Sequence, residues 1–223
     1  MNGTLPSFIL FDLDGTLLDS LPGIAFSVQE ACRMVGLPPS MIDMRSLLGP
    51  PIRTILSRAV ETDDPALIDQ LEQAFRISYD TEGWRKTSCF EGAQATLGMM
   101  KAAGHRLFVA SNKPRHISLK ILEREGLLPL FDRIYTRDST SPASTKGEML
   151  QKFLSEYDIS SLDCLMVGDT MEDAMAAEAV GIGFVYMTHG YGEWTATRSI
   201  PIAYKFDRFS QFLPLMTQEP VRD

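Results

Sequence analysis

Cysteine is scarce in this 223-residue chain. The three that occur, Cys32, Cys89 and Cys164, stand far apart. An odd number at wide spacing argues against a disulfide framework or a zinc cluster and points to reduced thiols in a cytoplasm. Histidine is equally rare: His105, His116 and His189 are dispersed, with no metal-ligand spacing and no triad. Lys and Arg form no cluster, and the net charge is −8. Nucleic acid and membrane surfaces are therefore not expected partners, and a phosphate-handling site would need local cations. No apolar run approaches the ~20 residues of a membrane span. The N-terminus lacks the basic start of a secretory signal. There is no internal repeat and no low-complexity tract.

What is present is a 44% hydrophobic composition, enough for one sizeable core or a core with a smaller domain. Residues 7–12 read as a buried strand, short and continuously apolar until Asp12. Residues 21–80 then read as wholly helical. Ile24, Val28, Ala31 and Val35 recur at helical spacing until Gly36 and Pro38-Pro39. Ser40 is the expected cap of a short helix reaching Leu48. Ile52, Ile55, Leu56 and Ala59 mark a third helix after Gly49-Pro50-Pro51. Asp64-Pro65 opens a fourth, with Leu67, Ile68, Leu71 and Phe75 on its apolar face. From Phe90 strands and helices alternate: strands are expected at 105–111, 131–136, 163–169 and 182–188, and helices at 92–103, 114–125, 146–157 and 171–179. This pattern predicts an α/β fold with a mostly parallel sheet covered on both faces. The expected domains are a core of residues 1–17 and 87–223 and a helical insertion of residues 18–86, with hinges near Leu17–Leu21 and Asp80–Thr87.

In such sheets ligands bind outside the carboxyl ends of the strands. Four polar groups fall on that rim. Asp12 and Asp14 follow the first strand and, two residues apart, point the same way. Such a pair can hold a divalent metal, or act as a nucleophile beside a general acid/base; a turn or helix cap is the competing reading, since Asp14-Gly15 is a turn signal. Asp169 and Asp173 in "VGDTMEDA" can cap a helix or share a hard cation, and oxygen ligands without His or Cys favour Mg²⁺. Ser111 and Asn112 end the second strand, where a hydroxyl and backbone N–H groups can bind a phosphoryl oxygen. Lys146 opens a helix, where the dipole disfavours a cation unless phosphate or carboxylates lie near. Together these groups point to phosphoryl transfer to Asp12.

"DLDGT", Ser111, Lys146 and "GDTMED" resemble the four ordered motifs of the haloacid dehalogenase-like (HAD-like) superfamily, and they span nearly the whole chain. The resemblance implies a Rossmann-like three-layer core with an inserted α-helical cap of the C1 type. It implies that Asp12 is the nucleophile and Asp14 the acid/base. Asp12, the Asp14 carbonyl and Asp169 would ligate Mg²⁺, with Asp173 behind them, while Ser111, Asn112 and Lys146 bind the phosphoryl group. Within the superfamily the chain resembles phosphoglycolate phosphatases and 5′-nucleotidase-like hydrolases. "LLGPPIRTIL" is similar to their cap substrate loop, which makes Gly49, Pro50 and Arg53 candidate specificity residues. "GYGEW" resembles the turn after their last main strand. The lysine of "STKGEM", without the Lys-Pro-x-Pro of many phosphoglycolate phosphatases, is closer to the nucleotidase-like branch. The expected partner is a small phosphorylated substrate, and the chain is expected as monomer or homodimer. A 5′-nucleotidase, a pyrophosphatase and a non-catalytic regulator that binds a phosphorylated ligand are the alternatives.

Overall fold

The computed structural model describes residues 4–139, 144–192, 194 and 200–216. Residues 141–143 ahead of Lys146 and Glu193 of "GYGEW" lie outside them. The strands in chain order are β1 (Phe8–Phe11), β2 (Leu18–Asp19), β3 (Ser88–Cys89), β4 (Arg106–Ser111), β5 (Arg133–Thr136), β6 (Cys164–Gly168), β7 (Gly183–Met187) and β8 (Tyr204–Phe206). The α-helices are α1 (Leu21–Met34), α2 (Ile52–Ala59), α3 (Pro65–Thr81), α4 (Ala93–Ala102), α5 (Arg115–Arg124), α6 (Lys146–Tyr157), α7 (Met171–Val180) and α8 (Leu213–Met216). Two compact units result: Met1–Leu18 with Cys89–Asp223, and Asp19–Ser88. The two-residue strands β2 and β3 lie where the chain passes from one unit to the other.

The first unit is built on a six-stranded sheet of order β5-β4-β1-β6-β7-β8, parallel at every pairing. Its inner strands β1, β4, β6 and β7 are buried on both faces, as a parallel sheet between helical layers requires. Leu10, Phe108, Ala110, Met166 and Phe184 join Met149, Leu150 and Phe153 of α6 and Ala174, Ala176 and Ala177 of α7 in one cluster. Residues of the opposite parity, Ile9, Phe11, Val109, Leu165, Val167 and Val185, are fully buried too, and Phe11 meets Phe131, just beyond α5, edge to face. Each such side chain contributes roughly 1.5–3 kcal/mol by leaving water. Strand β8 escapes the sequence pattern: three residues are too few for a periodicity, and only the hydrogen bonds with the β7 region identify it, such as Thr188 N–H to the Phe206 carbonyl at 2.8 Å.

In the second unit α3 starts as expected, with Pro65 in its first turn and the Asp64 carboxylate accepting from the Ala66 N–H at 3.0 Å. Leu71, Ala74, Phe75 and Tyr79 form its buried face. The short helix before α2 differs from expectation. It is a single 3-10 turn, Met44–Leu47, and its cap is Asp43, which accepts from Arg45 N–H at 3.0 Å. Ser40 instead donates its hydroxyl to the Ala59 carbonyl at 2.6 Å and its N–H to Gln29 at 3.0 Å. The Ser40 oxygen also accepts from the Ile42 N–H at 3.4 Å, so it closes a local turn three residues ahead of the cap position that Asp43 fills.

Candidate active site

The strand order places a reversal between β1 and β6: the chain leaves β1 towards β4 and β5, and leaves β6 towards β7 and β8. Crevices form outside the carboxyl ends of strands at such a switch point. Asp12 follows β1 and Asp169 follows β6. The Asp12 N–H, one step past β1, donates to the Val167 carbonyl of β6 at 2.9 Å. Asp173 comes from the first turn of α7. Asp12, Asp169 and Asp173 are all buried, and each offers an oxygen within 4.8 Å of the others.

Lys146, the first residue of α6, is 3% exposed and lies against this group. Its ammonium is 3.0 Å from Asp12 Oδ1 and donates to Asp173 Oδ1. A capping box between Thr145 and Glu148 satisfies the helix start, leaving the lysine side chain free to turn inward. Although burial opposes its charge, the carboxylates of Asp12 and Asp173 hold Lys146 above the ordinary ammonium range. Burial pushes Asp12 up to about 7 against the opposing pull of Lys146. Burial and then the Asp173 charge push Asp169 up to about 6, against the hydrogen bonds it accepts. Those bonds come from the N–H groups of Tyr191 at 2.8 Å and Gly192 at 3.2 Å and from the Thr16 hydroxyl at 3.0 Å. Asp173 both caps α7 and faces Lys146: its Oδ2 accepts from the Thr170 N–H at 3.0 Å and hydroxyl at 2.7 Å. Capping and site membership, alternatives in the sequence, are the same arrangement.

Such a set fits a hard divalent cation. The donors are carboxylate oxygens, they converge, and one ammonium does not neutralise them. The backbone is drawn in around them: a Cβ on Gly15 or Gly190 would collide with the Asp169 carboxylate. Gly15 also has φ +83, a conformation costing other residues about 1–2 kcal/mol. Gly15→Ala is therefore expected to destabilise the protein by more than this backbone cost and to impair divalent-cation binding, as thermal denaturation and calorimetric titration would show.

The remaining expected residues fall in several places. Ser111 is buried at the end of β4, its Oγ accepting from the Lys113 N–H at 3.3 Å. The Asn112 amide donates to Glu172 at 2.9 Å, which ties the β4 loop to the start of α7. The Asp14 side chain is not among the three converging carboxylates; it pairs with Lys113 at 2.8 and 3.1 Å. Gly49, Pro50 and Arg53 belong to the helical unit, where Arg53 is paired with Asp69 at 2.6 Å and Glu72 at 2.7 Å. Sequence reasoning passed over Lys113, Thr16 and His189. The His189 ring nitrogens lie 3.0 Å from the Thr16 carbonyl and 3.2 Å from that of Asp207, which supports the loop after β1. A lysine directly after the Ser-Asn pair was a visible signal; the other two depend on contacts across the fold. A cavity of about 400 Å³ opens beside Lys146 between the starts of α6 and α7, lined also by Met171, Glu172 and Met175.

A family model described as haloacid dehalogenase-like hydrolase matches residues 9–187. The chain is similar to a protein named tyrosine-protein kinase PtkA from Mycobacterium tuberculosis, 32% identical over 191 residues. That match covers 85% of this chain and 65% of the length of PtkA. It is also similar to a phosphoglycolate phosphatase from Psychrobacter arcticus, 29% identical over 211 residues and covering 91% of this chain and 92% of that one. Among solved structures it resembles a predicted phosphoglycolate phosphatase from Haemophilus somnus, with TM-score 0.82 and 25% identity, covering 97% of this chain and all of that one.

Proposed function

The chain belongs to the haloacid dehalogenase-like hydrolases, and from that premise we propose that it is a Mg²⁺-dependent phosphatase of small phosphorylated metabolites, working through an aspartyl-phosphate on Asp12. The observation that carries this is a buried carboxylate at the end of the central strand, in contact with a buried lysine and beside two further converging carboxylates. Asp12, Asp169 and the Asp14 carbonyl would hold Mg²⁺, with Asp173 behind. When bound, the ion offsets the repulsion between these carboxylates and a phosphate and polarises the phosphoryl group.

Asp12 attacks phosphorus as the ester P–O bond breaks with its electrons to the leaving oxygen. Asp14 gives that oxygen a proton. It then takes a proton from the water that hydrolyses the aspartyl-phosphate. Lys146, with the Ser111 hydroxyl, stabilises charge on the transferring oxygens, and Asp173 and Asp12 fix the lysine in place. On the strength of the family resemblance the helical unit takes the role of a cap, with Gly49, Pro50 and Arg53 as its proposed specificity residues.

Similarity to phosphoglycolate phosphatases favours phosphoglycolate, with a 5′-nucleotide or pyrophosphate as the alternative substrates. The 32% identity to PtkA favours a second reading, transfer to a tyrosine hydroxyl in place of water. A panel with Mg²⁺ containing phosphoglycolate, nucleoside monophosphates and pyrophosphate, with a second arm of ATP and a tyrosine peptide, separates these. Turnover of a monophosphate without peptide labelling is expected. A folded protein that hydrolyses nothing in the panel would refute the phosphatase.

Without a divalent ion, Asp12 and Asp169 keep protons in the folded chain that the unfolded chain has released, their ordinary value being 3.8. The stabilisation this provides is complete below about pH 4 and is lost as pH rises through about 6 to 7. A cation displaces those protons. Saturating Mg²⁺ is therefore expected to raise the melting temperature by about 5–10 °C at pH 8 and by much less at pH 5, as differential scanning fluorimetry would record.

A further inference from the structure

Resting on the phosphatase reading, we propose that Lys113 is a positioning residue that holds the Asp14 carboxylate for proton transfer. The Lys113 ammonium spans both Asp14 oxygens, at 2.8 and 3.1 Å. The lysine side chain is only 4% exposed, whereas the Asp14 side chain is 31% exposed. The cation is thus the anchored member of the pair and the carboxylate the solvent-facing one. The backbone of Lys113 is anchored as well: its N–H meets Ser111 Oγ, and its carbonyl accepts from the Ser118 hydroxyl at 3.4 Å.

An aspartate at the mouth of a sheet, one residue before a glycine, has rotamer freedom, and a misplaced proton donor costs rate steeply. A two-point contact from a desolvated ammonium restricts that freedom more than an exposed pair does. The two buried lysines of the site divide the work. Lys146 is committed to Asp12 and Asp173, and Lys113 to Asp14. Lys113 never exchanges a proton with substrate: the proton goes from Asp14 to the leaving oxygen as the P–O bond breaks, and a water proton later returns to Asp14.

The test compares kcat/KM with Mg²⁺ for two esters: the alkyl monophosphate turned over best in the panel above, and p-nitrophenyl phosphate, whose leaving group departs without a proton. Lys113→Met is expected to lose about 100-fold on the alkyl ester and at least about tenfold less on the aryl ester. Asp14→Asn is expected to show the same selectivity. In an Asp14→Asn background Lys113→Met should cost under about twofold more, because both changes remove one function. Equal losses on the two esters, or additive losses in the double variant, would overturn the assignment while leaving the phosphatase intact. An unaltered chain that hydrolyses neither ester would overturn both. Met preserves the apolar stem, and Asp14 stays partly solvated, so the variant is expected to fold. Lys113→Arg gives a second measurement: its guanidinium keeps the charge but sets the carboxylate elsewhere, so the alkyl-to-aryl ratio should fall about threefold or more, and an unchanged ratio would count against positioning.

Discussion

Asp12→Asn should abolish turnover, by at least about 10⁴-fold, because the aspartyl-phosphate has no other place to form. The fold should survive the change. Asparagine has the same shape, and the backbone N–H bond to Val167 does not involve the side chain. Burial makes the ionised Asp12 expensive, pushing its carboxyl up to about 7, and a neutral amide removes that cost. In metal-free buffer at pH 8 the variant is therefore expected to melt at the same temperature as the unaltered chain or slightly higher. Steady-state hydrolysis and thermal denaturation measure the two halves of this expectation. Near-normal turnover would refute Asp12 as nucleophile, and a large loss of melting temperature would mean that the carboxylate is structural.

Lys146→Met should damage both activity and stability. The ammonium stands between Asp12 and Asp173, which are 8% and 0% exposed at the side chain. Removing it leaves buried carboxylates facing one another, a loss of about 3–5 kcal/mol or roughly 10 °C or more in melting temperature. Turnover should fall about 10²–10³-fold, the usual effect of deleting one donor to a developing oxyanion. The stability loss should shrink at pH 5, where protonation of Asp12 and Asp169 relieves the repulsion, and shrink again with Mg²⁺ at pH 8. Lys146→Arg, which keeps the charge, should recover most of the stability. A loss of stability equal at pH 5 and pH 8 would show that the lysine contributes packing rather than charge.

Much of this was legible along the chain because it is local. The strand ending at Asp12 announces itself through four apolar residues followed by carboxylates, and α6 and α7 through polar starts followed by apolar spacing. Lys146 stands out in the sequence because a cation at a helix start opposes the dipole, and the nearby carboxylates are what make it stable there. Where a polar side chain finds its partner across the fold, sequence could not name that partner. The Ser40 hydroxyl bonds the Ala59 carbonyl while Asp43 caps the 3-10 turn, and the Asn112 amide bonds Glu172. Strand β8 carries too few residues to show a period.

The residue types that can perform phosphoryl transfer, and their order on strand ends and helix starts, were determined by sequence alone, since apolar runs and caps are set by neighbours a few positions apart. Which carboxylate each lysine serves was decided only by the tertiary structure. Lys113 and Asp14 are 99 residues apart, and Lys146 and Asp173 are 27 apart. Charge pairing acts through space over a few ångströms, and the strand order that brings those atoms within that range comes from packing the whole sheet.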